Sequence, residues 1–245
     1  MRRYQSTTTK SRCEADKLWY KVSMRILLVA LLLAVVLPAY GSIIMVSGDV
    51  TLLPSPPASL WPAVSENKTI LGFAEQQGVL LQNPLNVAIS TPGVWICCSG
   101  LPNGTIAAGT TVNSYLLYAS TATDGPGGLG SDFQGSVSFS SGEKIIGVII
   151  EYAQLVATDG MLGSLTTTYP IAGDVTAGLE HGDEIIIGPN ANSLYVDLHV
   201  AAGKIDMIRI LTEVPEPADF VLLGSGLVAL ALFGRRRFVR ARRQA

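Results

Sequence analysis

Short runs of β-branched and aromatic residues recur between residues 69 and 212, and clusters of Gly, Pro, Asn and Asp separate them. Short strands between such turns are typical of antiparallel sheets. In residues 193–200 the apolar residues Leu194, Val196, Leu198 and Val200 alternate with polar ones, so one face of this strand should be buried. The spacing predicts an all-β fold, either a single antiparallel sandwich or a jelly roll.

The predicted strands are residues 69–74, 79–81, 86–89, 94–97, 111–119, 135–140, 144–152, 184–187, 193–200 and 205–212. Residues 145–150 are almost wholly apolar, which predicts a central strand buried on both faces. Residues 153–162 are expected to form one short helix. Residues 66–213 would make up the sandwich ectodomain, and the proline-rich residues 42–65 an irregular lead-in.

The charges are divided unevenly along the chain. Seven of the 17 Lys and Arg residues precede residue 42 and six follow residue 214, so only four lie between, against fifteen Asp and Glu. The middle domain therefore carries a net charge of about −11. A domain this acidic repels phosphate backbones, which argues against nucleic acid as a partner.

Residues 24–41 have the order of a secretory signal peptide: Arg25, an apolar run, the helix-breaking Pro38, and small residues at Ala39 and Gly41. This order predicts a signal helix, export by the Sec machinery and cleavage after Gly41. Residues 1–23 are polar and unpatterned. They are expected to be either a disordered extension or an over-extended start, with Met24 the better initiator.

A second apolar segment, residues 220–234, lies near the other end of the chain. As a helix rising about 1.5 Å per residue it would reach about 22 Å, which is short of a 30 Å hydrocarbon core. Counting from residue 218, it is expected to be a short transmembrane helix accommodated by local thinning of the bilayer. The arginines that follow should remain cytoplasmic and anchor the span; they are Arg235, Arg236, Arg237, Arg240, Arg242 and Arg243.

The residues before this span are Val214, Pro215, Glu216 and Pro217. A Pro-Glu-Pro motif, a short Gly-containing span and an arginine cluster, in this order, resemble the PEP-CTERM sorting signal of exported proteins from Gram-negative bacteria that make exopolysaccharide. The resemblance covers residues 214–245. It implies processing by an exosortase, a membrane cysteine protease or transpeptidase, with Pro215, Glu216 and Pro217 as the recognition element of a substrate.

The resemblance also implies a location and partners. The protein would be exported through the inner membrane, held by a single C-terminal pass, and sorted to the cell surface or the extracellular matrix, where polysaccharide is a candidate partner. More loosely, residues 112–118, 147–150, 158–163, 168–170, 178–180 and 208–212 resemble a group of exported β-sandwich proteins with the same tail and no assigned activity.

Few residues suggest catalysis. His181 lies between carboxylates in a polar stretch, where it could be a base or a metal ligand, although a solvated turn is the simpler interpretation. His199 falls on the polar face of its strand. A glycosidase needs two facing carboxylates, and the candidates are Glu143, Glu151, Asp159, Glu180, Asp183 and Glu184. No motif organises them, so we expect no enzyme activity.

Metal and cysteine sites are also weakly indicated. Asp124 and Asp132 bracket a Gly-rich loop that could bind calcium, but their spacing matches neither an EF-hand nor the nonapeptide repeat. A flexible loop is favoured, and neither metal nor cofactor is expected. Because a bond between neighbouring cysteines is strained, Cys97 and Cys98 are expected to be partly buried thiols on a strand, with an interchain bridge as the alternative.

The leading hypothesis is therefore a non-enzymatic structural or interaction protein of the cell envelope or exopolysaccharide matrix. The alternative is a carbohydrate-binding or adhesion module, which exposed Trp61, Trp95 or tyrosines lying side by side in a groove would favour. A secreted hydrolase is the third hypothesis, and it would need two of the six candidate carboxylates, or a His–carboxylate pair, to converge.

Overall fold

The computed structural model describes residues 42–60, 69–97, 100–121, 130–140, 142–170 and 178–214. They belong to one compact unit, Tyr40–Pro215. The expected signal peptide, residues 1–23, Asp124, Trp61, Cys98, the transmembrane span and the arginine cluster lie outside the described residues.

Thirteen strands and one helix make up the described part of the chain. The strands are β1 (Ile43–Gly48), β2 (Val50–Leu52), β3 (Ile70–Ala74), β4 (Val79–Leu80), β5 (Leu85–Val87), β6 (Gly93–Ile96), β7 (Gly104–Ile106), β8 (Thr111–Ser120), β9 (Ser131–Phe139), β10 (Lys144–Ile149), β11 (Glu184–Ile187), β12 (Ser193–Val200) and β13 (Ile205–Glu213). The helix, α1, spans Tyr152–Leu162. The all-β prediction is confirmed, as is the short helix.

The strands form two large sheets. The first has five strands in the order β1-β9-β12-β11-β6, all antiparallel. The second has the order β10-β13-β8-β3-β2, with β4 pairing on β8. Its β2–β3 pair is parallel, which departs from the purely antiparallel sheet expected. A separate two-stranded sheet consists of β5 and β7.

The two large sheets share one hydrophobic core, which gives the fold its sandwich-like character. The alternation expected in β12 is confirmed, because Leu194, Val196, Leu198 and Val200 are all buried in this core. Opposite them lie the even-numbered residues of β13, such as Ile208 and Ile210. Inward-facing residues of two sheets interdigitate in this way when the sheets pack face to face.

A second core covers the opposite face of the β13 sheet. Here the odd-numbered residues Met207 and Leu211 of β13 pack with Leu155 and Leu162 of α1. The central strands of this sheet are therefore buried on both faces, and β13 is buried from Ile205 to Thr212. An almost continuous apolar run is the expected sequence signature of such a strand.

The expectation that residues 145–150 form a central strand was wrong. Strand β10 pairs only with β13 and ends the order of its sheet. Its other side is covered by the β5 segment, because Ile89 and Val148 form an isolated antiparallel bridge and the Ala88 N–H donates to the Val148 carbonyl. Burial by a neighbouring segment produces the same apolar pattern as burial inside a sheet.

The expected lead-in also differs from the structure. Residues 43–48 and 50–52 form strands β1 and β2, which pair with β9 and β3. The prolines begin only after β2, at Pro54. Similarly, Gly104 begins β7, a strand that lies between the predicted strands 94–97 and 111–119.

Candidate functional site

The sorting motif begins where the last strand ends. Strand β13 stops at Glu213, and the N–H of Val214 donates to the Thr111 carbonyl at 3.3 Å. The next residue is Pro215, which has no N–H and cannot extend the ladder. Pro215, Glu216 and Pro217 themselves lie outside the described residues. The hydrogen-bonded domain therefore continues to Val214, the first residue of the motif.

The most elaborate polar cluster in the described part of the chain surrounds Arg209. Its guanidinium is fully buried on the helix side of the β13 sheet. All five of its N–H donors are used. Nε and Nη2 donate to the two oxygens of Glu75 at 2.7 and 2.8 Å, Nη2 also donates to Asp159 at 2.7 Å, and Nη1 donates to the Leu155 carbonyl and the Thr158 hydroxyl at 2.9 and 2.6 Å.

The carboxylate of Glu75 is held from several sides. It accepts hydrogen bonds from the hydroxyls of Ser114 and Tyr169, both at 2.6 Å. The Tyr169 ring also lies 5.6 Å from the guanidinium carbon of Arg209, within cation–π range. Because Glu75 follows β3, Arg209 lies on β13 and Asp159 lies on α1, the cluster ties the helix to the sheet.

The electrostatics of this cluster favour a structural role. Burial lowers the pKa of Arg209, but its hydrogen bonds and ion pairs with Glu75 and Asp159 outweigh burial and raise the pKa above its usual value. Burial also raises the pKa of Asp159, and Arg209 opposes that rise. Since Glu75 and Asp159 both bind the same guanidinium, they do not form the facing acid–base pair that glycoside hydrolysis requires.

Glu143, one of the expected carboxylates, is buried in a second polar cluster. One of its oxygens, Oε1, accepts hydrogen bonds from Asn113 at 3.1 Å, Tyr115 at 2.8 Å and the hydroxyl of Thr212. Burial, followed by the charge of Glu143, raises the pKa of Tyr115. The donors come from the start of β8 and the end of β13, so Glu143 links these two strand ends.

A third cluster brings together Glu180, Asp183 and His199. The fully buried Asp183 accepts the N–H of Glu180 at 2.6 Å and the N–H of His199 at 2.7 Å. The Nδ1 atom of His199 lies 3.5 Å from Asp183, but its side chain is 52% exposed. His199 therefore lies on the outer, polar face of β12, as predicted.

The remaining expected residues lie apart from one another. His181 is exposed in a turn, as predicted. Glu184 lies in β11 opposite Asp197, and Glu151 is exposed at the start of α1. Among the described residues, no group of three or more His, Cys, Asp or Glu side chains is arranged to hold a metal ion.

A polar cleft of about 450 Å³ opens between the β5–β7 sheet and the start of α1. Its lining includes Asn86, Asn103, Thr105, Glu151 and Gln154. Glu151 occupies the N-cap position of α1 without capping it through its side chain. The Oε1 atom of Gln154 is buried and has no hydrogen-bond partner within the described structure. The cleft thus presents amide and hydroxyl groups that can accept or donate hydrogen bonds.

Trp95 does not provide the exposed aromatic platform that would favour stacking against a sugar ring. It is only partly exposed, packs against the main core, and donates its indole N–H to the Thr91 carbonyl at 3.2 Å.

Cys97 also departs from expectation. It is buried in the turn after β6 and is disulfide-bonded. A disulfide sulfur carries no proton, so the 3.4 Å approach of Cys97 Sγ to the Leu179 carbonyl is a contact only.

Three charged residues of the buried region, Glu75, Asp206 and Arg209, were not among the expected site residues. Asp206 lies on β13 and is fully buried between the sheets. Asp206 and Arg209 interrupt an otherwise nearly apolar run, Ile205–Glu213. A charged residue inside an otherwise apolar strand is the signal that could have identified Asp206 and Arg209, because a buried charge needs a partner or a proton.

No helix in the described ranges is long and apolar enough to cross a membrane. Comparison with known proteins matched no family model, no curated protein and no solved structure.

Proposed function

We propose that this protein is an exported, non-enzymatic structural or interaction protein of the cell envelope or exopolysaccharide matrix. Its C-terminal signal would hold it at the membrane until an exosortase processes it. The observation that carries the proposal is the order of parts after β13: Pro-Glu-Pro, a short apolar span and an arginine cluster. The acidic, sandwich-like β domain before the motif is a suitable soluble cargo.

The position of the motif supports this route. The last described backbone hydrogen bond of β13 involves Val214, and two prolines follow within three residues. Prolines keep a backbone extended and out of helices and sheet ladders. In this proposal the motif is an accessible extended segment between a folded domain and the membrane, which suits recognition by a protease.

Replacing Pro215, Glu216 and Pro217 together by alanine tests the proposal. Wild-type protein should be released from the membrane, and the triple variant should remain there at full length. Glu213→Ala is the matched control, because Glu213 is the exposed last residue of β13 and lies just before the motif. Release of the triple variant at the wild-type rate would contradict recognition through the motif.

The polar cleft at the start of α1 favours carbohydrate binding as a second candidate. Its volume of about 450 Å³ falls in the usual range for small-ligand sites, and its amides and hydroxyl suit the hydroxyl groups of a sugar. Glu151 disfavours anionic sugars, so a neutral saccharide is the expected class.

Calorimetry with neutral and acidic oligosaccharides, on wild-type protein and on the Asn86→Ala/Gln154→Ala variant, tests this second candidate. Binding of a neutral sugar that the variant loses would support it. Asn190→Ala, which alters a different surface depression, is the control. The absence of neutral-sugar binding, or binding that the cleft variant retains, would reject it.

A further inference from the structure

Asp206 is a buried carboxyl group with nothing to stabilise its charge. It is the second residue of β13 and shares the inward face with Ile208 and Ile210, so its side chain lies between the two large sheets. It is 0% exposed. Neither of its oxygens has a hydrogen-bond partner among the residues that the structure describes.

The charged groups that face Asp206 are of the same sign. Asp183 and Glu180, from the segment before β11, both act on it electrostatically. Asp183 has two backbone N–H donors for its own charge, whereas Asp206 has none. On its pairing partner β8, Asp206 lies opposite Ala119, and β8 contains no charged residue.

No cation in the described ranges compensates Asp206. The nearest basic residues in sequence are Lys204, Arg209 and His199, and none of them forms an ion pair with Asp206. Arg209 lies on the other face of β13, where it pairs with Glu75 and Asp159. The ring of His199 lies on the outer face of β12, beside Asp132 and Asp183. An isolated buried carboxylate is so costly that the group takes up a proton instead.

We propose that Asp206 acts as a proton latch between the two sheets. While its carboxyl group is neutral the packing around it is maintained, and when the group ionises this packing loosens. Burial, and then the charges of Asp183 and Glu180, raise the pKa of Asp206 to about 8. The neutral form therefore predominates at neutral pH. Under alkaline conditions the new charge repels residues 178–183. This segment is held by the hydrogen bond from the Glu180 N–H to the Asp183 carboxylate and by backbone hydrogen bonds to Cys97.

The sign of the pH dependence follows from the raised pKa. Between about pH 4 and pH 8 the folded state holds a proton that the unfolded state has released, so the stability from this group falls as pH rises through that window. Below about pH 4 both states are protonated and the contribution is fully present.

Asp206→Asn is the central variant, because it keeps the shape of the side chain and cannot ionise. Between about pH 5 and pH 9 the melting temperature of wild type should fall by roughly 10 °C more than that of Asp206→Asn. The exposed Asp132→Asn serves as the control and should retain the wild-type slope. Equal slopes for wild type and Asp206→Asn would overturn the proposal.

Two further measurements keep the latch testable if Asp206→Asn folds poorly. In wild type, the Asp206 carboxyl carbon should titrate in NMR near pH 8; a titration near pH 4 would overturn the proposal. Amide exchange at Gly182 should be faster in wild type than in Asp206→Asn at about pH 9 and equal at about pH 6. If Ca²⁺ raises the melting temperature of wild type and not of Asp206→Asn, the group binds a cation and the proton latch is wrong.

Discussion

Replacing Arg209 by methionine should strongly destabilise the domain. The variant keeps much of the side-chain volume and removes all five hydrogen bonds of the guanidinium. It leaves the fully buried Glu75 with only the hydroxyls of Ser114 and Tyr169 as donors. Removing one member of a buried ion pair costs about 3–5 kcal/mol, because the other charge stays buried.

In a domain of this size, 1 kcal/mol corresponds to about 2–4 °C in melting temperature. Arg209→Met should therefore lower the melting temperature by roughly 6–20 °C. Thermal unfolding followed by circular dichroism measures the shift. Lys144→Met is the matched control, since Lys144 is a basic strand residue that is exposed and forms no ion pair in the described structure.

A double-mutant cycle on Arg209 and Glu75 can refute the predicted role of this ion pair. In the Arg209→Met background, Glu75→Gln removes the unpaired buried charge and should recover part of the lost stability. The coupling energy between the two substitutions should therefore exceed about 1 kcal/mol in the double-mutant cycle. If Arg209→Met behaves like Lys144→Met, or if the two effects simply add, the buried ion pair does not contribute as argued.

The remaining predictions concern packing and buried hydrogen bonds. Glu143→Ala removes the acceptor of three buried donors and should cost at least about 2 kcal/mol in denaturant unfolding, whereas Glu213→Ala on the surface should cost little. Gly147→Ala should cost about 1–3 kcal/mol, because its new methyl group would lie 2.7 Å from Val87 and 2.9 Å from Ile106. Gly160→Ala meets nothing within 4 Å and lies in α1, so it should stabilise by up to about 1 kcal/mol; the opposite order of the two glycine variants would refute the packing described.

Strand β12 shows what could be predicted from the sequence. Its strict alternation makes the buried face unambiguous, and all four of its expected inward residues are buried. Strand β13 is apolar at both odd and even positions, so its burial on two faces could be expected. The partners of its charged residues could not, because Arg209 binds Glu75 across 134 residues of sequence. Local patterns carry no information on which distant segment meets a side chain.

Strands β10 and β1 show the same limit at the level of topology. The apolar run of β10 correctly indicates burial, but the cover on one side is the β5 segment and not another strand of the same sheet. Strand β1 contains exposed apolar residues, Ile44 and Met45, next to a bulge in its pairing with β9. The irregular pattern of β1 does not indicate a strand. The strand forms because its backbone pairs with β9.

The C-terminal mass of the released protein tests the central proposal most directly. Intact-mass spectrometry should be carried out on protein released from wild-type cells and from cells that lack the exosortase. If the Pro-Glu-Pro segment is a processing signal, released wild-type protein should lack Arg235, Arg236, Arg237, Arg240, Arg242 and Arg243, and cells without the exosortase should retain the full-length chain at the membrane. The complete C-terminus in released protein from both strains would contradict the proposal.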